Sequence, residues 1–491
     1  MSKTNNTKQA FWIALGSLFS FGFGIVSSMI LSRYFDKADY GTYKQVIYVY
    51  HTLLTVFTLG LPKAFSYFLP RVEINQAKNL IKKITNLFFI LGAVFSVILF
   101  VFAPQISIIL KNPDLKIALR IFSLVPFLML PTMGLEGILS TYRKTKFMAI
   151  YTIITRVIML LCVALPVIIF NLGYREALIG FTIASFISFI IALYFKYLPV
   201  KNTGNDKCCI TYKEIFKFSI PLLYASIWGI IITSADQFFI SRYFGNVVFA
   251  EFSNGSMELP FVGMIVGATA TILSPIFSRM SHEKLDPQKD IYPIWKSVFE
   301  KSAMLIYPLV IYSWFFADII MVALYGNQYV NSSIYFRIKL VVNLFTVIVY
   351  APLIINIGKV KFYSNVHMYG AIILIVLEYF SVLIIESPYI LTVISVLCQI
   401  GRIFVMLLFV SKYFNIKLYR LFPITLILKI LIPSVFILLL EYYIIVRFIN
   451  LNVFVALFVS FFLYIILYIF TSKIIGLNYL SIIKPLIKKN K

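Results

Sequence analysis

The sequence predicts an all-α, polytopic integral membrane protein with about fourteen transmembrane helices, and three observations carry this prediction. Of the 491 residues, 61% are hydrophobic and only 13% are charged, whereas soluble globular chains have about 45–50% apolar and about 25% charged residues. The mean hydropathy is +0.92. The apolar residues form long uninterrupted runs, unlike the roughly ten-residue alternating strands of a membrane barrel. These properties exclude a soluble enzyme of this length.

The helices follow from the apolar runs, because a hydrocarbon core of about 30 Å requires about 20 residues of helix. Charge-free runs of this length begin at Gln9, Ile84, Val157, Ala177, Leu259 and Phe448. Further segments contain only one or two ionisable residues. Together they predict fourteen helices that start near residues 10, 42, 84, 117, 148, 176, 216, 248, 298, 335, 365, 389, 425 and 450.

The basic residues predict the orientation of the helices. Lys and Arg number 44 against 19 Asp and Glu, a net charge of +25, and such an excess in a membrane protein concentrates in cytoplasmic loops. With the N-terminus inside, the inner segments contain 29 basic residues and the outer loops seven. We therefore expect an inner (cytoplasmic) membrane protein with both termini in the cytoplasm, and no nucleic-acid partner. The basic tail is expected to face anionic membrane lipids; its lysines are Lys484, Lys488, Lys489 and Lys491.

Motifs for enzymatic chemistry are missing from the sequence. There is no GxxxxGK[ST] phosphate loop and no GxGxxG after a strand. The three histidines, His51, His282 and His367, are scattered, and the predicted outer loops are too short for a catalytic domain. We expect no catalytic residue, no metal site, no cofactor and no ATP hydrolysis.

An internal repeat predicts the domain organisation. The string SRYF occurs at Ser32–Phe35 and again at Ser241–Phe244, in each case at the end of a predicted helix. Because both helices run outward, the repeat predicts two parallel, pseudo-symmetric six-helix lobes around a central cleft, which suits alternating access. The predicted ranges are 1–196 for helices 1–6, 197–215 for a cytoplasmic linker, 216–411 for helices 7–12, and 412–491 for helices 13–14 with the basic tail.

Three segments resemble a known transporter family. SRYFDKADYGTYKQV (Ser32–Val46) and LGLPKAFSYFLPR (Leu59–Arg71) are similar to the start of the polysaccharide-unit flippases of the MATE-like MOP (multidrug, oligosaccharidyl-lipid, polysaccharide) superfamily. SIPLLYASIWGIIITSADQFFISRYFG (Ser219–Gly245) is similar to their seventh helix, which typically has an acidic residue at the position of Asp236. The resemblance implies flipping of undecaprenyl-diphosphate-linked oligosaccharide units from the inner to the outer leaflet, for O-antigen lipopolysaccharide, capsule or exopolysaccharide. It also implies a polysaccharide polymerase and chain-length machinery as partners.

Cations within the predicted helices are candidate ligands for the diphosphate of such a substrate. A charged side chain at the bilayer centre costs at least about 2.5 to 3.5 kcal/mol, so its presence needs a reason. Arg33, Lys44, Lys63 and Arg156 are predicted to line the first lobe's side of the cleft. Snorkelling to the headgroups is the alternative for Arg33, and an ion pair with Glu136 is the alternative for Arg156. Helix two adds aromatic residues for the sugars, Tyr43, Tyr48, Tyr50 and Tyr67.

Acidic residues in helices seven and eight are candidates for ion coupling. Asp236 and Glu258 are predicted to lie at mid to outer depth and to bind H⁺ or Na⁺, because either ion neutralises a carboxylate. Pairing with Arg242 or a hydrogen bond on the lumenal side is the alternative. For the charged residues of the later helices we expect packing pairs or snorkelling; these are Glu378, Arg402, Lys429 and Glu441.

Other functions of a many-helix membrane protein remain open from the sequence. An ion-coupled exporter of drugs or metabolites from the same superfamily is the nearest alternative, but cationic drugs require an acidic cavity and the first lobe is basic. A membrane-embedded polysaccharide polymerase or acyltransferase would need a large outer loop or clustered His and Asp residues.

Overall fold

The computed structural model describes residues 3–448 and 452–479, and all regular secondary structure in these ranges is helical. The tail residues Lys484, Lys488, Lys489 and Lys491 lie outside them. The α-helices are α1 (Lys3–Tyr34), α2 (Lys37–Phe57), α3 (Pro62–Phe68), α4 (Ile74–Val101), α5 (Ala103–Ile109), α6 (Asp114–Phe122), α7 (Val125–Met129), α8 (Leu135–Thr141), α9 (Thr145–Phe170), α10 (Tyr174–Tyr197), α11 (Tyr212–Gly255), α12 (Pro260–His282), α13 (Tyr292–Phe315), α14 (Ala317–Tyr325), α15 (Ser332–Thr346), α16 (Ala351–Asn356), α17 (Val360–Ile384), α18 (Pro388–Phe414), α19 (Leu418–Leu421), α20 (Ile424–Phe448) and α21 (Val453–Ile474). The predicted all-α class is confirmed.

Twelve helical segments of the described chain are long and apolar enough to cross a membrane. A thirteenth crossing is formed if Pro287–Phe315 and Ala317–Tyr325, which are bent by 76° at their junction, make one broken span. The helix predicted near residue 335 corresponds to α15 and α16, of 15 and 6 residues. Each is shorter than the roughly 20 residues that a crossing needs. A polytopic membrane protein is therefore confirmed, whereas the count of fourteen is not.

The chain divides into two compact units, with the boundary between Ala250 and Glu251. The boundary falls inside α11, which is interrupted at Gly245, where φ is +83° and ψ is 178°. A helix break thus occurs at both copies of SRYF. The helix α1 ends at Tyr34 within the first copy, and Gly245 directly follows the second copy. The sequence places the division at 197–215, and the pseudo-symmetry of the two lobes stays a prediction.

In the first unit, two of the spans are broken helices. Leu59 and Gly60, with φ of +47° and +71°, separate α2 from α3. The helix predicted near residue 117 is divided into α6, α7 and α8. Gly134 precedes α8 with φ +77°, and a Cβ at this position would overlap the ring of Phe65 in α3. Glycine meets both requirements, so that α3 and α8 pack closely.

Aromatic rings and long helix contacts hold the first unit together. The helix α9 packs along both α1 and α10, and α4 packs against α7. The rings of Phe57 and Phe95 stack with centroids 4.5 Å apart, and Tyr50 stacks on Phe95 at 6.0 Å. Since lipid tails are as apolar as these side chains, such close packing rather than the hydrophobic effect associates the helices.

In the second unit, side-chain donors satisfy carbonyl groups where helices break. The indole Nε1 of Trp295 in α13 donates to the carbonyl oxygen of Val349 at 2.8 Å, in the break between α15 and α16. The hydroxyl of Tyr307 donates to the carbonyl oxygen of Leu344 at 2.7 Å. In hydrocarbon these backbone groups have no water to bind, so the two donors make the break tolerable.

Candidate functional site

The first unit contains a partly open cavity of about 1060 Å³. Its walls come from α1, α2, α3, α7, α8, α9 and α10 and from the connection between α7 and α8. Three of the four predicted substrate-binding cations line it, namely Lys44, Lys63 and Arg156. They come from three different helices, so the fold brings together side chains that are up to 112 residues apart in the sequence.

Lys44 is held at the wall between two helices. It lies on α2, is half-buried, and its Nζ donates to Ser28 Oγ on α1 at 3.2 Å. The same ammonium group lies 5.2 Å from the ring centroid of Tyr40. These contacts fix the position of the charge and leave the remaining ammonium protons available to a ligand, since a lysine has three donors.

Lys63 reaches the cavity because the chain breaks before α3. The short helix starts at Pro62, whose missing N–H costs nothing at the first helical turn. Lys63 follows directly and is exposed, as is Ser66 one turn later, and both line the cavity. On the opposite side of α3, Phe65 is fully buried.

Arg156 extends from α9 into the cavity and its side chain is exposed there. Glu136 of α8 lines the same cavity, but no ion pair joins the two side chains in the described part of the chain. The ion pair that the sequence offered as an alternative for Arg156 is therefore not formed. The guanidinium keeps its planar array of five donors, which matches phosphate oxygens.

Hydroxyl groups make up much of the remaining polar wall. Tyr43 and Tyr50 line the cavity, whereas Tyr48 and Tyr67 do not. Four serines of α1 that were not predicted from the sequence also line the cavity, namely Ser17, Ser20, Ser27 and Ser28. The signal for them is a spacing of three, seven and eight residues, which puts small polar side chains on one helical face.

Arg33 does not line this cavity. It is exposed in the last turn of α1. Its predicted role in binding the diphosphate stays a prediction, as does the alternative of snorkelling.

The two candidate ion-coupling residues belong to different units. Asp236 in α11 is 2% exposed, and its Oδ1 accepts a hydrogen bond from the backbone N–H of Gln237 at 3.0 Å. Glu258 follows α11 and is exposed. Arg242 donates through Nη1 to the carbonyl oxygen of Ile109. Neither acid lines the cavity, and their role in ion coupling stays a prediction. In the described ranges, no three His, Cys, Asp or Glu side chains form a metal-binding group.

A buried amide network links the two copies of the SRYF motif region. Gln45 on α2 is fully buried, and its Nε2 donates to Ser241 Oγ at 2.8 Å. Its Oε1 accepts from Asn112 Nδ2 at 2.6 Å, and the same nitrogen donates to Thr42 Oγ1 at 2.9 Å. These residues were not predicted from the sequence. The available signal was two uncharged polar residues, Thr42 and Gln45, three positions apart in an otherwise largely apolar helix. Satisfied buried amides of this kind fix helix position.

Lys196 is a further cation that the sequence analysis missed. It is fully buried at the end of α10, with Nζ 3.5 Å from Thr85 Oγ1. The ring centroids of Phe65 and Phe88 lie 4.8 Å and 5.5 Å from the ammonium group. These cation–π contacts compensate part of its lost hydration and anchor α3, which carries Lys63.

Comparisons with known proteins agree with this architecture. The model of a family described as polysaccharide biosynthesis protein matches residues 30–334. The structure of the lipid II flippase MurJ in an inward closed conformation is similar with a TM-score of 0.72, at 17% identity, over 97% of this chain and 99% of that one. An inward-facing multidrug resistance MATE family transporter of the MOP superfamily gives 0.64 at 14% identity, over 80% and 94%.

A third structure is a MOP superfamily transporter from Pyrococcus furiosus, described by a binding pocket of reverse polarity. It is similar with a TM-score of 0.57 and 14% identity, over 83% of this chain and 96% of that one. No curated protein sequence matches. At these identities the structural likenesses show the fold of the chain.

Proposed function

The chain belongs to the polysaccharide biosynthesis protein family, has the fold of the MOP-superfamily transporters, and from these premises we propose that it flips undecaprenyl-diphosphate-linked oligosaccharide units from the inner to the outer leaflet. One observation carries the proposal: Lys44, Lys63 and Arg156 line a single cavity. The units serve O-antigen, capsule or exopolysaccharide synthesis in the cytoplasmic membrane. A polymerase with its chain-length machinery then receives them.

The cations suit a diphosphate group. Charge-assisted hydrogen bonds from Lys and Arg to phosphate are about twice as strong as neutral ones, and they strengthen further where the local dielectric is low. The cavity of about 1060 Å³ lies at the upper end of the roughly 300–1,000 Å³ of small-molecule sites, which leaves room for sugars beside the diphosphate. The polyprenyl chain remains in the lipid.

The rest of the wall suits a sugar chain. The serines of α1 offer hydroxyl donors and acceptors, and the largely buried side chains of Tyr43 and Tyr50 form part of the same wall. Glu136 is the single acidic residue of the lining, so the cavity is basic on balance. An exporter of cationic drugs requires the opposite charge, and for this reason the lipid-linked sugar is the favoured substrate.

Transport by alternating access completes the proposal. Arg33 is proposed to contact the diphosphate at the end of α1, and Asp236 and Glu258 are proposed to bind H⁺ or Na⁺ and so couple an ion gradient to the return step. The related structures are transporters and flippases rather than enzymes, which supports transport without a catalytic step.

Charge reversal in the cavity tests the proposal. Lys63→Glu and Arg156→Glu are expected to abolish complementation of a strain that lacks the chain, because each replaces an attraction to phosphate by repulsion. Lys116→Glu is the matched control, since Lys116 is exposed on α6 and does not line the cavity. Membrane abundance is measured for all three by immunoblot. Full activity of either cavity variant at normal abundance contradicts the substrate assignment.

A further inference from the structure

The helix α20 carries a carboxyl group that does not line the cavity of the first unit. Glu441 lies in the apolar span Ile424–Ile444 and is 2% exposed. Neither Oε1 nor Oε2 has a hydrogen-bond partner among the described residues, and no ion pair involves this side chain there. The sequence predicts a packing pair or snorkelling for Glu441, and the burial without a partner contradicts both.

A carboxylate in this position is unstable in its ionised form. Burial removes the water that stabilises its charge, and no described residue supplies a counter-ion or a hydrogen-bond donor in place of that water. Binding a proton neutralises the group and removes most of the penalty. A side chain in such surroundings therefore holds a proton whenever the helix packing is as described.

The helices α13 and α21 pack against α20, and among their described residues the titratable groups that interact with Glu441 are the phenols of Tyr312 and Tyr464. Tyr312 Oη shares a hydrogen bond of 2.8 Å with Ser460 Oγ. Tyr464 Oη donates to the carbonyl oxygen of Pro308 at 3.0 Å. One carboxyl group and two phenol oxygens are fewer than the roughly six to eight oxygen ligands that a hard cation such as Ca²⁺ requires. A proton requires only the carboxyl group.

A row of hydroxyl groups continues from this point along α21. Tyr464 and Tyr468 stand one turn apart with ring centroids at 5.6 Å, and Tyr468 Oη lies 2.8 Å from Tyr479 Oη. Tyr479, beyond the end of α21, donates to the carbonyl oxygen of Met304 at 2.9 Å. That carbonyl lacks its helical donor because Pro308 has no N–H. These hydroxyl groups extend from Tyr464 to Tyr479, a half-buried residue beyond the end of α21.

We propose that Glu441 is a proton-binding site whose protonation is coupled to transport. A proton from water on one side forms an O–H bond with a carboxylate oxygen of Glu441. When α20 moves against α13 and α21, that bond breaks and the proton returns to water on the other side. No electron transfer is involved. The coupling rests on the proposed transport function, whereas proton binding by Glu441 does not.

Infrared spectroscopy of the purified full-length protein tests proton binding without a transport assay. Wild-type protein at neutral pH is expected to show the carbonyl stretching band of a protonated carboxylic acid, and Glu441→Gln is expected to lose it. Glu441→Asp retains a carboxyl group and is expected to keep the band at a shifted position. Glu386→Gln is the control, because Glu386 is exposed between α17 and α18. A band that is unchanged in Glu441→Gln, or absent from the wild type, overturns the proposal.

Reconstituted vesicles test the coupling. With a labelled undecaprenyl-diphosphate oligosaccharide, an imposed pH gradient is expected to accelerate flipping by wild type and Glu386→Gln, and Glu441→Gln is expected to lose this acceleration. An unchanged response of Glu441→Gln to the pH gradient overturns coupling through Glu441. If no variant flips the lipid while the infrared band behaves as expected, the proposed substrate fails and the proton site stands.

Discussion

Arg156 shows how a single residue can remain available for a ligand inside a membrane protein. Its guanidinium extends into a cavity that also contains Glu136, yet the structure forms no ion pair between them. An arginine that is paired internally would have to break that pair before it contacts phosphate. An arginine that faces a wet cavity instead exchanges water for phosphate oxygens, which costs less.

A double-mutant cycle measures whether Arg156 and Glu136 act on each other. We expect the stability changes of Arg156→Gln and Glu136→Gln to add, with a coupling free energy below about 0.5 kcal/mol, as for residues without a direct contact. The measurement is thermal unfolding of the purified single and double variants. A coupling of about 1.5 kcal/mol or more would establish the ion pair and remove the argument that Arg156 is free for substrate.

Residue type decides which parts of the site the sequence reveals. Lys63 and Arg156 are conspicuous because a charge in an apolar run is expensive. Gln45 is uncharged, so its burial and its bond to Ser241 follow only from the packing of distant segments. Lys196 stands at the end of an apolar run. At such a position the sequence does not distinguish a lysine in an exposed loop from a buried lysine. Glu441 is visible as a charge, but its lack of a partner depends on tertiary structure.

At the scale of elements, the close approach of α2 to the helix after the second SRYF motif depends on one glycine. A Cβ added to Gly41 would overlap the backbone carbonyl of Asn246. Asn246 Nδ2 in turn donates to the carbonyl oxygen of Ala38 at 3.1 Å and to Thr42 Oγ1 at 3.2 Å. Small residues that let backbones meet, together with polar side chains between helices, are the usual means of association in membranes.

Gly41→Ala is expected to destabilise the protein by about 1 to 3 kcal/mol, the usual cost of overpacking a close contact. The contact is with backbone, which cannot rotate away. Gly263→Ala in α12 is the matched control, since a Cβ there meets nothing within 4 Å and alanine favours a helix. Thermal unfolding in detergent measures both variants. Equal unfolding temperatures for Gly41→Ala and wild type would show that the helices separate easily at this point.

The sequence predicts the positions of the membrane spans well. It predicts the positions of the breaks within those spans poorly. The starts predicted near residues 84, 148 and 176 fall within ten residues of the observed helices α4, α9 and α10, because apolar run length alone determines them. The breaks after Phe57 and near Gly134 depend on positive φ angles and on packing against Phe65. The contact between Gly134 and Phe65 joins residues that are far apart in the sequence. The periodicity of apolar residues therefore does not predict it.

At the scale of the whole molecule, α15 and α16 determine on which sides of the membrane the termini lie. Together they contain 21 helical residues between positions 332 and 356, which cover about 31 Å, close to the thickness of a core of about 30 Å. If this broken segment crosses along with the bent pair, the number of crossings is even and the termini share one side. If only the bent pair crosses, the number is thirteen and the termini lie on opposite sides. The 29 basic residues of the predicted inner segments favour the first arrangement.

Cysteine labelling on both sides of this segment distinguishes the two arrangements. In a background with Cys162, Cys208, Cys209 and Cys398 replaced by serine, Asn327→Cys is expected to react with a membrane-impermeant maleimide added to intact cells. Lys359→Cys is expected to react only after the membrane is permeabilised. Both positions are exposed in the structure, so accessibility to the reagent reports the side of the membrane rather than burial. Labelling of both residues from the same side would mean that α15 and α16 re-enter without crossing. The positive-inside assignment would then fail for every helix on one side of that segment, because a lost crossing inverts the orientation of all that follow.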